Sequence, residues 1–194
     1  MASDVGEAVN RLGIERFVLV GHSTGGLVAL QYAGDHPEHV AGLLLADPAG
    51  DARKVPSEQM EPLLAGLASD AYSETMGRYF NFLIDSDTVV RERVMADLRA
   101  TPKETVIGSF RAHSEYDPLP ALQRYGGPKL SVITLVNAAP FGLHNLGADL
   151  PHISFTVTGH WLQMDKPEEF NRILDDFLAR VEDWTTPRSW ESRG

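Results

Sequence analysis

The sequence predicts an α/β fold: a parallel sheet of about four strands flanked by helices, with a helical insert between its second and third strands. Three observations carry this. Four short apolar runs, residues 16–20 (RFVLV), 40–46 (VAGLLLA), 130–136 (LSVITLV) and 153–157 (ISFTV), are continuous rather than alternating, as strands buried on both faces are. The first two are separated by an apolar helical pattern, and strand–helix–strand in that order implies a parallel pair with a crossover helix. Residues 51–117 carry helical spacing throughout and no strand signal.

Residues 3–12 open the chain as an amphipathic helix. Val5, Ala8, Val9 and Leu12 recur at helical spacing, Ser3 or Asp4 can cap the start, and Gly13 can end it. The strand 16–20 leads directly into Gly21-His22-Ser23-Thr24-Gly25, and residues 27–33 (LVALQYA) follow as a helix. This G-x-S-x-G run between a strand and a helix predicts a sharp turn that lifts the Ser23 hydroxyl clear of the backbone. Glycines flank it because a Cβ at either position would meet the neighbouring strand or helix. The strand 40–46 stops at Asp47-Pro48.

Four apolar stripes mark the insert: Met60, Leu63, Leu64 and Leu67; Met76, Tyr79, Phe80 and Leu83; Val90, Val94 and Leu98; Val106, Ile107 and Phe110. A helical insert there is placed to cover the carboxyl edge of the sheet as a lid. Asp117-Pro118-Leu119-Pro120 and Gly126-Gly127-Pro128 punctuate the return to the sheet. Thr158-Gly159-His160-Trp161 lies at the carboxyl end of the last strand. Pro167-Glu168-Glu169 then begins a helix with Phe170, Ile173, Leu174, Phe177, Leu178 and Val181 on one face. Residues 184–194 carry Trp184 and Trp190 without periodicity and read as a loosely ordered tail, so the whole of 1–194 reads as one domain.

Composition narrows the function. With 27 acidic against 17 basic residues, the net charge of −10 and the lack of a basic run longer than a pair argue against nucleic acid as a partner. No cysteine is present, which removes disulfides and thiolate chemistry. The N-terminus has no apolar signal-peptide core and no stretch reaches 18 apolar residues, so a cytoplasmic protein without membrane partners is expected. G-x-G-x-x-G and G-K-[ST] are both missing, so neither a dinucleotide nor a P-loop site is expected, and no cofactor is called for. His36, His39, His113, His144 and His152 show no metal-ligand spacing and read as solvated or packed.

The segments LVGHSTGG and TGHWLQMDKPEEF, their spacing, and the helical insert after the second strand together resemble the α/β-hydrolase family over most of residues 3–182. The resemblance implies Ser23 as nucleophile, His160 as base, and the Thr24 N–H as an oxyanion donor. The physical reading agrees, because a serine hydroxyl is a poor nucleophile until an imidazole in reach removes its proton. Both residues follow strands at the same sheet edge. His22, beside the nucleophile, reads as a pocket-wall or packing residue.

Two departures from the family pattern stand out. Strands that usually precede the elbow strand, and the His-Gly loop that supplies a second oxyanion donor, have no counterpart in this sequence. Losing one such donor costs about 10²–10³ in turnover, so slow catalysis is expected. The acid that commonly follows the third strand is also missing: the chain reads Asn137-Ala138-Ala139-Pro140. Some members of the family place the acid one strand earlier, where this chain has Asp47. Asp51, Asp149 or no acid at all remain open at this point, and Asp47-Pro48 also makes a good turn.

The sequence thus predicts a serine carboxylesterase acting on small or medium uncharged esters through an acyl-enzyme. A cofactor-free haloperoxidase or perhydrolase is the near alternative, and a non-catalytic binding protein of the same fold is the distant one. An elbow strand at the sheet edge predicts a homo-oligomer formed through that edge, or else a chain that is a piece of a longer protein.

Overall fold

A computed structural model describes residues 1–84, 88–146, 150–156 and 158–185. Four strands form one parallel sheet in the sequential order β1 (Phe17–His22), β2 (Val40–Ala46), β3 (Lys129–Thr134) and β4 (His152–Phe155). The first strand starts one residue later than the apolar run and extends through Gly21 and His22, because both continue its ladder with β2 opposite Leu45 and Ala46. The third ends at Thr134, since residues 135–137 turn into one 3₁₀ turn held by the Thr134 side chain. Val157 and residues 186–194 lie outside the described residues, as does Asp149.

Side chains alternate across β2 and thereby build two cores. Leu43 and Leu45 join Leu27, Leu30, Ala33, Ala121 and Leu122 on one face, where α1 (Ala2–Leu12), α2 (Thr24–Asp35) and α7 (Leu119–Arg124) pack. Leu44 and Ala46 join Val132, Phe155, Leu162, Phe170 and Phe177 on the other, covered by the short α8 (Leu162–Asp165) and by α9 (Pro167–Thr185). Tyr125, fully buried, donates its hydroxyl to the Val40 carbonyl, which ties the segment before β3 to the start of β2. The α7 helix occupies a stretch that its prolines mark as a break. Pro118 and Pro120 are tolerated there because a first helical turn has no use for those N–H groups.

Between β2 and α7 come α3 (Ser57–Leu67), α4 (Tyr72–Leu83), α5 (Thr88–Ala100) and α6 (Lys103–Glu115), after a 3₁₀ turn at Ala52–Lys54. They carry cores of their own. Leu67, Met76 and Val106 are buried among Leu63, Tyr79 and Phe110, while Ile84, Val90 and Val94 pack with Phe80 and Trp161. Trp161 belongs to the loop after β4, so the second of these clusters joins the helices to the sheet's carboxyl edge.

Candidate active site

At the end of β1 the chain reverses into α2 within a single residue. Ser23 takes φ 54° and ψ −126°, a left-handed region that side chains with a Cβ seldom occupy. The turn is tied by Ser23 N–H to the Ala46 carbonyl (3.1 Å) and by Gly26 N–H and Ala49 N–H to the Ser23 carbonyl (2.9 and 3.2 Å). Two glycines make this approach possible, though they are not the pair the G-x-S-x-G pattern suggests. A Cβ at Gly21 would stand 2.6 Å from the Gly25 carbonyl oxygen and 2.8 Å from the Gly26 Cα. One at Gly26 would crowd Pro48 at 3.1 Å, whereas one at Gly25 would meet nothing within 4 Å. The tight position is therefore the second residue of the terminal Gly-Gly pair, where α2 passes closest to the β2 end.

Asp47 follows β2 on the same edge and is the other non-glycine residue at positive φ among those described (φ 41°). It is fully buried, and its carboxylate is gripped from two sides. Oδ1 accepts from the Thr134 N–H at 2.7 Å; Oδ2 accepts from the Thr134 hydroxyl at 2.8 Å. The remaining donor is His160, whose Nδ1 lies 2.6 Å from Oδ2. Asn137, at the position where the family pattern commonly has its acid, donates its amide to the Asp47 backbone carbonyl at 3.2 Å. The register that sets Ala46 beside Val132 brings Asp47 to Thr134.

His160 is buried and its own backbone is anchored twice. Its N–H donates to the Leu83 carbonyl at the end of α4 (2.9 Å), and its carbonyl accepts from His22 Nε2 (2.8 Å). With Nδ1–H directed at Asp47, Nε2 is the ring nitrogen left to face the cavity. Ser23 and His160 line the same cavity, of about 470 Å³. Asn137 also lines it; Met60, Leu63, Tyr79 and Phe110 from α3, α4 and α6 supply apolar walls, and Arg78 brings a cation to the lining. A smaller compartment of about 180 Å³ also touches Ser23 and His160, and adds Thr24 and Trp161.

The other acids are engaged elsewhere or undescribed. Asp51 is fully buried, but both carboxylate oxygens are taken by Arg53, at 2.9 Å each. That guanidinium holds the Asp51 carboxyl below the usual range. Its side chain also caps the 3₁₀ turn, so Asp51 closes a loop. Asp149 lies outside the described residues.

His22 is more than a wall. Burial first, and the neighbouring His160 ring second, push it down to about 4, so it is neutral near pH 7 and can donate Nε2–H to the His160 carbonyl. Their rings sit 4.6 Å apart. An unfolded chain would take up this proton near 6.5, the folded one only near 4. Stability from this group is therefore intact above pH 6.5 and lost as pH falls toward 4, by about 2 kcal/mol at pH 5. His22→Asn should shrink the difference between urea midpoints at pH 7 and pH 5; an equal difference in both proteins would refute this account.

Sequence reasoning missed Thr134 and the support from His22. A threonine inside a β-rich run carries no local sign of gripping a carboxylate 87 positions away. For Asn137 a sign existed, a polar side chain at the end of a buried strand, but it reads there as the loss of an acid.

Among the described residues no helix is long and apolar enough to cross a membrane. The sequence matches the family described as alpha/beta hydrolase fold over residues 1–167. It is 27% identical over 190 residues to a 2-hydroxy-6-oxo-6-phenylhexa-2,4-dienoate hydrolase of Comamonas testosteroni, covering 89% of this chain and 66% of that protein. With a 2-hydroxy-6-oxononadienedioate/2-hydroxy-6-oxononatrienedioate hydrolase of Paraburkholderia phymatum the identity is 32%, covering 89% and 65%. The chain thus spans about two thirds of the length of these relatives. The crystal structure of a Pseudomonas aeruginosa hydrolase superposes with a TM-score of 0.76 at 25% identity, covering 91% of this chain and 70% of that one. Elbow, parallel sheet and sequence match agree: this chain belongs to the α/β-hydrolase family.

Proposed function

We propose that the protein is a serine hydrolase of carboxylic esters. The observation that carries the proposal is the buried 2.6 Å contact between His160 Nδ1 and Asp47 Oδ2, on an imidazole that opens into the same cavity as the elbow serine. Asp47 orients the ring and stabilises the imidazolium. His160 Nε2 takes the Ser23 proton as Oγ attacks the ester carbonyl, and the tetrahedral oxyanion is met by the Thr24 N–H at the start of α2, where helix N–H groups are free. His160 then protonates the leaving alcohol. Water, activated by the same imidazole, releases the acid and regenerates Ser23. The apolar walls suit an uncharged acyl group of small or medium size.

A fluorophosphonate probe tests the assignment. Labelling of the native protein that vanishes in Ser23→Ala supports it. No labelling, together with p-nitrophenyl acetate hydrolysis no faster than Ser23→Ala, would leave a binding protein with a hydrolase fold. A second reading, hydrolysis of a 2-hydroxy-6-oxo-dienoate, is favoured by the relatives' names and by Arg78 on the cavity wall. Loss of the dienoate chromophore at a rate exceeding ester turnover would select it.

The outer edge of β1 pairs with a second copy in this proposal. Val20 is 43% exposed at that edge, and Leu12 and Ile14 lie exposed just before the strand. Light scattering at micromolar concentration should give at least twice the 21.3 kDa chain mass; a clean monomer would overturn the pairing.

A further inference from the structure

The loop that joins α2 to β2 reads His36-Pro37-Glu38-His39, and folding gathers its three polar side chains. His36 Nδ1 lies 4.0 Å from Glu38 Oε1 and His39 Nε2 lies 3.7 Å from the same oxygen. One ligand atom from each of the three falls within 4.8 Å of the others. Among the described residues no other group of three His, Asp or Glu side chains meets this condition. We propose that His36, Glu38 and His39 form a binding site for a divalent transition-metal ion of the zinc type, with water completing the coordination.

The chemistry of the donor set favours such an ion. Two imidazoles and one carboxylate suit Zn²⁺, while the hard cations Ca²⁺ and Mg²⁺ prefer all-oxygen sites. An ion centred among the three atoms would stand ~2.5 Å or less from each, against about 2.0–2.2 Å in a formed site. Half-exposed side chains can close a gap of a few tenths of an ångström by small torsional changes.

The surroundings already hold the donors in place. Tyr32 is fully buried, and its hydroxyl oxygen lies 3.2 Å from His39 Nδ1. In the metal-binding tautomer Nδ1–H donates to that oxygen and presents the Nε2 lone pair toward Glu38. An outer hydrogen bond of this kind usually orients a ligating imidazole. The His36 ring lies 4.8 Å from the Tyr32 ring and is stacked on His39 at 5.7 Å. The loop backbone is fixed as well, with His36 N–H on the Tyr32 carbonyl and Phe17 N–H on the His39 carbonyl. Placement at the α2 C-terminus adds a favourable field for a cation. Asp35, next in sequence to His36, is occupied by Gln31 and Arg124.

This loop is at the amino end of β2, about 20 Å along the strand from the Asp47 end, so the ion would brace the sheet and take no part in hydrolysis. Tag-free protein, stripped with EDTA and dialysed, is titrated with ZnCl₂ by calorimetry and unfolded thermally with and without the metal. One equivalent should bind, and the melting temperature should rise by about 5–10 °C at a hundredfold excess over Kd. Glu38→Gln and His39→Ala should each weaken binding at least tenfold, while His144→Ala, whose ring lies 4.8 Å from that of His152 and outside this loop, leaves the isotherm unchanged. Lack of binding at millimolar Zn²⁺, or wild-type affinity in either loop variant, would overturn the site. Ester hydrolysis is measured alongside, since its rate tests the proposed function independently of the metal.

Discussion

Ser23→Ala is expected to lower p-nitrophenyl acetate hydrolysis by up to about 10⁶ in kcat, to the residual rate that binding and the oxyanion donor alone sustain. His160→Ala should reach the same floor within tenfold, and the double variant should fall no lower. The reason is that the two side chains perform one step. Without an imidazole the hydroxyl keeps its proton; without the hydroxyl the imidazole has nothing to activate. Additive losses would mean that the residues act separately, and the acyl-enzyme scheme would fail. Far-UV circular dichroism guards against misfolding, which is a small risk at Ser23 because a smaller side chain takes its place.

Asp47→Asn has the second-largest expected effect, roughly 10⁴ in kcat. The Asp47 carboxylate accepts from Thr134 N–H, from the Thr134 hydroxyl and from His160. An asparagine keeps one acceptor, which the Thr134 N–H claims, and it turns its NH₂ toward the ring. His160 Nδ1 then accepts instead of donating, Nε2 carries the hydrogen, and the ring can no longer take a proton from Ser23. A structural role alone would lower the melting temperature without separating the variant from the parent once both are folded. Measurement of kcat well below both melting transitions distinguishes the two. A rate within tenfold of the parent would remove Asp47 from the mechanism.

The architecture was legible because it rests on periodicity. The run 40–46 matches β2 residue for residue, and the helical stripes fall on α3 to α6. Buried parallel strands and amphipathic helices advertise themselves locally. Ser23 and His160 stand out for a related reason, each lying in a short motif with a recognisable strand before it. Asp47 did not, since an Asp-Pro after a strand is what a turn looks like, and its meaning comes from a histidine 113 positions away. The glycine pattern misled in a smaller way: Gly25 faces open space and Gly26 makes the tight contact, which depends on where Pro48 lies. His36, Glu38 and His39 fall within four residues, but whether their side chains converge is set by the fold, which brings one ligand atom of each within 4.8 Å of the others.

The two awkward torsions, at Ser23 and at Asp47, have a practical outcome for anyone seeking a hardier protein. Routine thermostability engineering relieves left-handed backbone by inserting glycine, and among the described residues those are the two non-glycine candidates it would choose. Under the proposed mechanism either substitution leaves an inert scaffold, and glycine at Asp47 would also strand the Thr134 and His160 donors that its buried carboxylate satisfies. On that proposal, relief of the Ser23 torsion comes at the expense of the nucleophile, so screens on this chain should score turnover in the same well as survival.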